Sequence, residues 1–234
     1  MGGMSGAVER VRARLFELQD EQYRRFSATL TPTMDVERVI GVRTPALRAL
    51  AKELRGTPDA AEFLAELLHA YYDENNLHGF LIEGLRDYEA CVAALDLFLP
   101  YVDNWATCDL TSPRALGKKP QELRAQIAMW MASEREFTVR FGVGMLLRWF
   151  LDENFDPGDL EVVAALRSQA YYVNMMIAWY FATALAKQWA AALPYIEGCR
   201  LAPWVHNKTI QKALESRRVL PERKAQLRAL KISL

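Results

Sequence analysis

The stretch TPALRALAKELRGTPDAAEFLAELLHAYY, residues 44–72, decides the fold class. It holds the same device twice in succession. Thr44 is expected to cap a helix with Pro45 in its first turn, and Gly56 ends the segment. Thr57 and Pro58 then open a second helix in the same way. Apolar residues recur at helical spacing in both segments, and nothing alternates with period two. Working outward, helical patterning covers residues 7–29 as one long segment on the N-terminal side. On the C-terminal side it continues through DYEACVAALDLFLPYV, KPQELRAQIAMWMAS, EFTVRFGVGMLLRWFL, DPGDLEVVAALRS, YYVNMMIAWYFATALAK and PWVHNKTIQKALES. The connections are short and rich in Pro, Gly, Asp and Asn. No strand or hairpin signal stands out.

The helices fall into pairs that begin near residues 58, 88, 119, 157 and 188. That period of roughly 30–38 residues lies in the range of two-helix repeats. The expected fold is therefore all-α: an α-solenoid superhelix of stacked, HEAT-like helix pairs, forming a single domain over 1–234. The second helix of each pair (74–86, 104–115, 136–151, 172–187, 204–216) would line a concave surface.

Composition is that of a globular chain, 51% hydrophobic and 25% charged. Lys+Arg and Asp+Glu both number 29, so formal net charge is +0. A polyanion binder is normally basic overall, so any nucleic-acid surface must come from charge separated onto one face. Cys91, Cys108 and Cys199 are far apart and read as reduced, mostly buried thiols. The N-terminal sequence has no apolar signal-peptide core, and no apolar run is long enough to span a membrane, so a cytoplasmic location is expected.

Three of the lining helices carry unusual stripes at four-residue or near four-residue spacing. The first is Trp105, Asp109 and Ser112; the second Arg140, Gly144 and Arg148; the third Tyr172, Met176, Trp179 and Thr183. Each has a bland reading as core, cap or ion pair, with Gly144 permitting tight helix packing. Each also has a functional one, in which a cationic ligand meets Trp105 and Asp109 while the arginines meet an anion. The C-terminal segment concentrates positive charge, with Lys208, Lys212, Arg217, Arg218, Arg223, Lys224, Arg228 and Lys231 against Glu215 and Glu222. The G-x-G of FGVGML has no third glycine and no preceding strand, so it is not a nucleotide fingerprint. His69, His78 and His206 lack ligand-type partners at i+4, so no metal site is expected and they read as surface or packing residues.

Five segments, in order, carry a resemblance: GVRTPALRALAKEL (41–54), NWATCD, FTVRFGVGMLL, MMIAWYFATALAK and NKTIQKALES. Together they resemble the DNA alkylation repair family, the HEAT-like alkylpurine DNA glycosylases. The resemblance implies excision of N3- or N7-alkylated purines from duplex DNA, by a monomer without cofactor in the bacterial cytosol and nucleoid. It implies Asp109 as the catalytic carboxylate, with Trp105, Arg140 and Trp179 contacting substrate; Arg148, Lys208 and Lys212 are added as DNA-binding cations. Asn104 and Ala106 stand where the family's strict motif has Trp and Asp. The four central residues are expected to converge on a positive concave face, with Glu62, Glu66, Asp73 and Glu74 elsewhere. Two alternatives stay open: a non-catalytic module that binds damaged or distorted DNA, and a protein-interaction scaffold. Asp109 favours the enzyme, because a phosphate binder gains nothing from a carboxylate in its groove.

Overall fold

The computed structural model describes residues 6–32 and 34–233. Among them are fourteen α-helices and three short 3-10 turns, with no strand beyond an isolated bridge between Gln19 and Val42. The chain divides into two compact units, residues 1–119 and 120–234.

The first unit holds α1 (Gly6–Glu17), α2 (Glu21–Leu30), α3 (Thr44–Leu54), α4 (Pro58–Ala65), α5 (Tyr72–Ile82), α6 (Tyr88–Phe98) and α7 (Trp105–Leu110). Helix α5 is its centre: α3 and α7 both pack against it, and α1 packs on α4. Leu15, Leu47, Phe63, Leu77 and Phe80, all buried, tie these helices into one core. The second unit holds α8 (Pro120–Met131), α9 (Glu136–Trp149), α10 (Pro157–Ala165), α11 (Tyr171–Lys187), α12 (Trp189–Glu197), α13 (Pro203–Glu215) and α14 (Pro221–Ala229). Here α11 packs against both α9 and α13, while α8 covers α9 and α10 touches α12. Within this unit the second helices of three successive pairs thus lie side by side, as pair stacking requires.

Three boundaries differ from the sequence reading. Residues 7–29 form two helices, because the Asp20 carboxylate accepts the Tyr23 N–H at 2.9 Å and starts a new one. Helix α3 begins at Thr44 itself, with Arg43 in the cap position and no side-chain cap, whereas Thr57 does cap α4 by accepting from Ala60 N. The segment 104–115 is helical only to Leu110. Pro113 has no N–H and disfavours helical backbone before it, so the chain runs extended and resumes as a 3-10 turn at Arg114–Lys118. Ser112 therefore leaves the stripe it was expected to share with Trp105 and Asp109; its N–H donates to Glu83 Oε1 at 2.7 Å.

Helix α5, sequence YDENNLHGFLI, has all its residues buried in spite of its polar composition. Buried polar groups need partners, and these have them. The Asp73 carboxylate accepts three backbone N–H groups, from Ile40 (2.7 Å), Gly41 (3.1 Å) and Val42 (2.7 Å). This nest needs Gly41 at φ 92°, and a Cβ there would lie 2.5 Å from Arg24 Cβ. Burial raises the Asp73 pKa even against those three bonds. Glu74 pairs with Arg12 at 2.7 Å and accepts Tyr71 N–H at 3.0 Å. Both carboxylates expected to lie on an outer surface are thus internal fasteners. His69 and His78, read as surface or packing residues, form a buried pair, Nε2 to Nδ1 at 2.9 Å. Phe63 stacks on His69 and Phe98 on His78. Cys91 and Cys108 are buried and Cys199 is exposed.

Candidate nucleic-acid interface

In the first unit the short helix α7 presents Trp105 and Asp109. Asn104 caps it, its Oδ1 accepting Thr107 N–H at 2.8 Å. A buried polar chain then locks α7 to α5. Thr107 Oγ1 donates to Asn76 Oδ1 at 2.7 Å and accepts from Asn104 Nδ2 at 2.9 Å, and Tyr72 bonds to Asn76 from the other side. Burial pushes the Tyr72 phenol up to about 12, so it stays a neutral hydrogen-bonding group. Such a satisfied network rigidifies what it holds. Trp105 is half-buried against Met34, Val39, Tyr72 and Ala106, and its indole N–H donates to Leu30 O at 3.0 Å. Asp109, one turn further along, is half-buried. The core and functional readings of Trp105 are therefore both partly met: one part of the ring packs and the rest is accessible.

In the second unit the sequence candidates separate. Arg140 is only 4% exposed, and its Nη1 donates to Tyr172 O at 2.7 Å, fastening α9 to the start of α11. In the same place Glu136 accepts Tyr172 N–H at 2.9 Å. Two turns later on α9, Arg148 is exposed. The glycine between them is not the site of close approach. A Cβ on Gly144 would meet Met176 Cε at an ordinary 3.5 Å, whereas on Gly142 it would meet Met131 Cγ at 2.8 Å. Tight packing of α8 on α9 thus rests on the first glycine of FGVGML.

Arg148, Trp179 and Lys212 come together around an open cleft of about 500 Å³ bordered by α9, α11 and α13. Its shape follows from the sequence of α11. Ala182, Thr183 and Ala186 line it, and they are too short to cover Trp179, which stays 42% exposed. Lys187, Arg218 and Glu215 complete the charged lining. Lys187 pairs with Asp152, and the Glu215 carboxylate accepts from Gln211 Nε2 at 3.0 Å. Lys208 does not line the cleft; it sits 5.5 Å above the Trp204 ring and donates to Gln211 Oε1. The sequence reading missed Lys187 and Glu215 as lining groups. The signal lay in the small residues of FATALAK one turn beyond Trp179.

A positive cleft with an exposed tryptophan in one unit, and a tryptophan–aspartate helix in the other, suit a phosphate-bearing and partly cationic ligand. The family model described as "DNA alkylation repair enzyme" matches residues 11–213. The chain belongs to the DNA alkylation repair enzyme family. The match runs through both units and includes Trp105, Asp109, Arg140, Arg148, Trp179, Lys208 and Lys212. A search of curated proteins gave no match. Membership of this repair family brings an enzymatic role in DNA repair. Among the described residues no helix is long and apolar enough to cross a membrane.

Proposed function

We propose that this family member is a DNA glycosylase that excises N3- or N7-alkylated purines from duplex DNA, as a monomer and without metal or cofactor, and that its helix pairs form a HEAT-like solenoid. The observation that carries the reading is α7, where a rigidly braced helix holds Asp109 one turn after a half-accessible Trp105.

An alkylated purine is already cationic, so its bond to C1′ is weak. As that bond breaks, its electron pair moves onto the base and neutralises it. Positive charge passes to the sugar, as in glycoside hydrolysis. Asp109 stabilises this developing charge and orients the water that attacks C1′, and the water's proton leaves to the carboxylate or to solvent. A unit charge about 4 Å away at an effective dielectric of about 20 contributes roughly 4 kcal/mol. That is about a thousandfold in rate, enough only for an activated leaving group. Trp105 and Trp179 contact the deoxyribose and backbone of the damaged nucleotide, their ring faces favouring the cationic lesion. Arg148 and Lys212 hold phosphate, with Lys208 an outer cation. Arg140 acts by fixing α9 to α11 and so setting where Arg148 and Trp179 stand, since its guanidinium is buried against Tyr172 O.

The test is release of free base from duplex DNA carrying N7-methylguanine. Tight binding of that DNA with no release would favour the non-catalytic module, and no binding at all the interaction scaffold.

A further inference from the structure

Glu215 is out of place in a phosphate grip. Arg148 from α9, Lys212 from α13 and Arg218 from the turn after α13 converge on the cleft in the second unit, and a polyanion alone would be met best by cations alone. Yet a carboxylate stands among them, held by Gln211 and facing the same space as Trp179. A ligand with an anionic end and a cationic, flat end satisfies all five side chains at once. About 500 Å³ is within the range of small-molecule sites. We propose that this cleft binds a single N7-alkylated purine nucleotide taken out of the helical stack. Its phosphate lies on Arg148, Lys212 and Arg218, its ring lies on Trp179, and its positive charge is read by Glu215.

The assignment differs from a phosphodiester track in giving the second unit a base-reading function of its own. Cation–π attraction to a tryptophan and an ion pair to a carboxylate both act on the alkylated ring and on no ordinary purine. It rests on the alkylpurine reading only for the choice of ligand.

The experiment titrates the full chain with N7-methylguanosine 5′-monophosphate and with guanosine 5′-monophosphate by calorimetry, in mildly acidic buffer where the methylated ring keeps its charge. The methylated nucleotide is expected to bind about tenfold tighter, the order of the two contacts combined. Glu215→Gln should remove most of that preference while leaving the unmethylated nucleotide's affinity nearly unchanged. Arg218→Ala should weaken both nucleotides alike. Both positions are exposed, so neither variant threatens the fold. Equal affinity for the two nucleotides overturns the proposal, as does no binding of either, or a preference that survives Glu215→Gln. The measurement needs no bond cleavage. A preference found without any base release from alkylated DNA would sink the glycosylase reading and keep the pocket; release without preference would do the reverse.

Discussion

At the scale of single residues, the charge of Asp109 is separable from its shape. Asp109→Asn keeps size and much of the hydrogen bonding. It is expected to slow base excision by about 10²–10³-fold, the usual loss for one well-placed electrostatic stabiliser. Duplex binding should be kept or improved, because a negative charge leaves a phosphate-facing surface. Single-turnover release of N7-methylguanine checks this, and equal rates would make Asp109 structural. The two glycines of α9 make a second residue-scale contrast. Gly142→Ala drives a methyl group to 2.8 Å from Met131 Cγ and 3.3 Å from Ile127 O, so it should destabilise by about 1–3 kcal/mol. Gly144→Ala meets only Met176 Cε at 3.5 Å. It gains helix propensity instead, and should be neutral or stabilising by up to about 1 kcal/mol. Urea denaturation of the two variants decides; a reversed order would mean that α9 packs through the second glycine.

At the scale of elements, α5 is the least ordinary helix, since its polar side chains hold its neighbours from inside. The His69–His78 pair shows the consequence for pH. Burial lowers His69 to about 4 and His78 to about 3 from an ordinary 6.5. Their mutual bond needs one ring nitrogen to donate and the other to accept, which a doubly protonated pair cannot do. Because the folded-state values are depressed, the unfolded chain binds more protons between about 6.5 and about 4. The contribution is therefore present above the ordinary value and is lost as pH falls through that window, by an amount on the order of 3 kcal/mol. Thermal midpoints measured across the window should fall steeply for the native sequence and less for His69→Asn. Parallel curves would show that other groups control acid unfolding.

At the scale of the molecule, zero net charge and DNA binding are compatible because charge is sorted locally. Asp73 and Glu74 are buried, and exposed acids such as Asp59 and Glu53 are spent on Arg10 and Arg14, while Arg148, Lys212 and Arg218 share one cleft. Duplex affinity is expected to fall steeply with salt as phosphates release counterions. Arg148→Ala should weaken all duplex sequences about equally and reduce the slope of log affinity on log salt by about 1. An affinity indifferent to salt would argue that the cleft carries no phosphate.

The sequence by itself determined the all-helical class, the pairing of helices from residue 58 onward, and the family, because helical period, Thr-Pro starts and short ordered motifs are local properties of the chain. It also marked Trp105, Asp109, Arg148, Trp179 and Lys212 by residue type and spacing. Only tertiary structure decided that Arg140 faces a backbone carbonyl, that Gly142 rather than Gly144 is the close contact, and that Asp73, Glu74, His69 and His78 are internal. It alone joined Glu215 and Arg218 to Trp179 across a cleft. The reason is physical. A four-residue spacing places side chains on one face of a helix, but whether that face meets water, a neighbouring helix or a buried polar partner depends on residues distant in the chain.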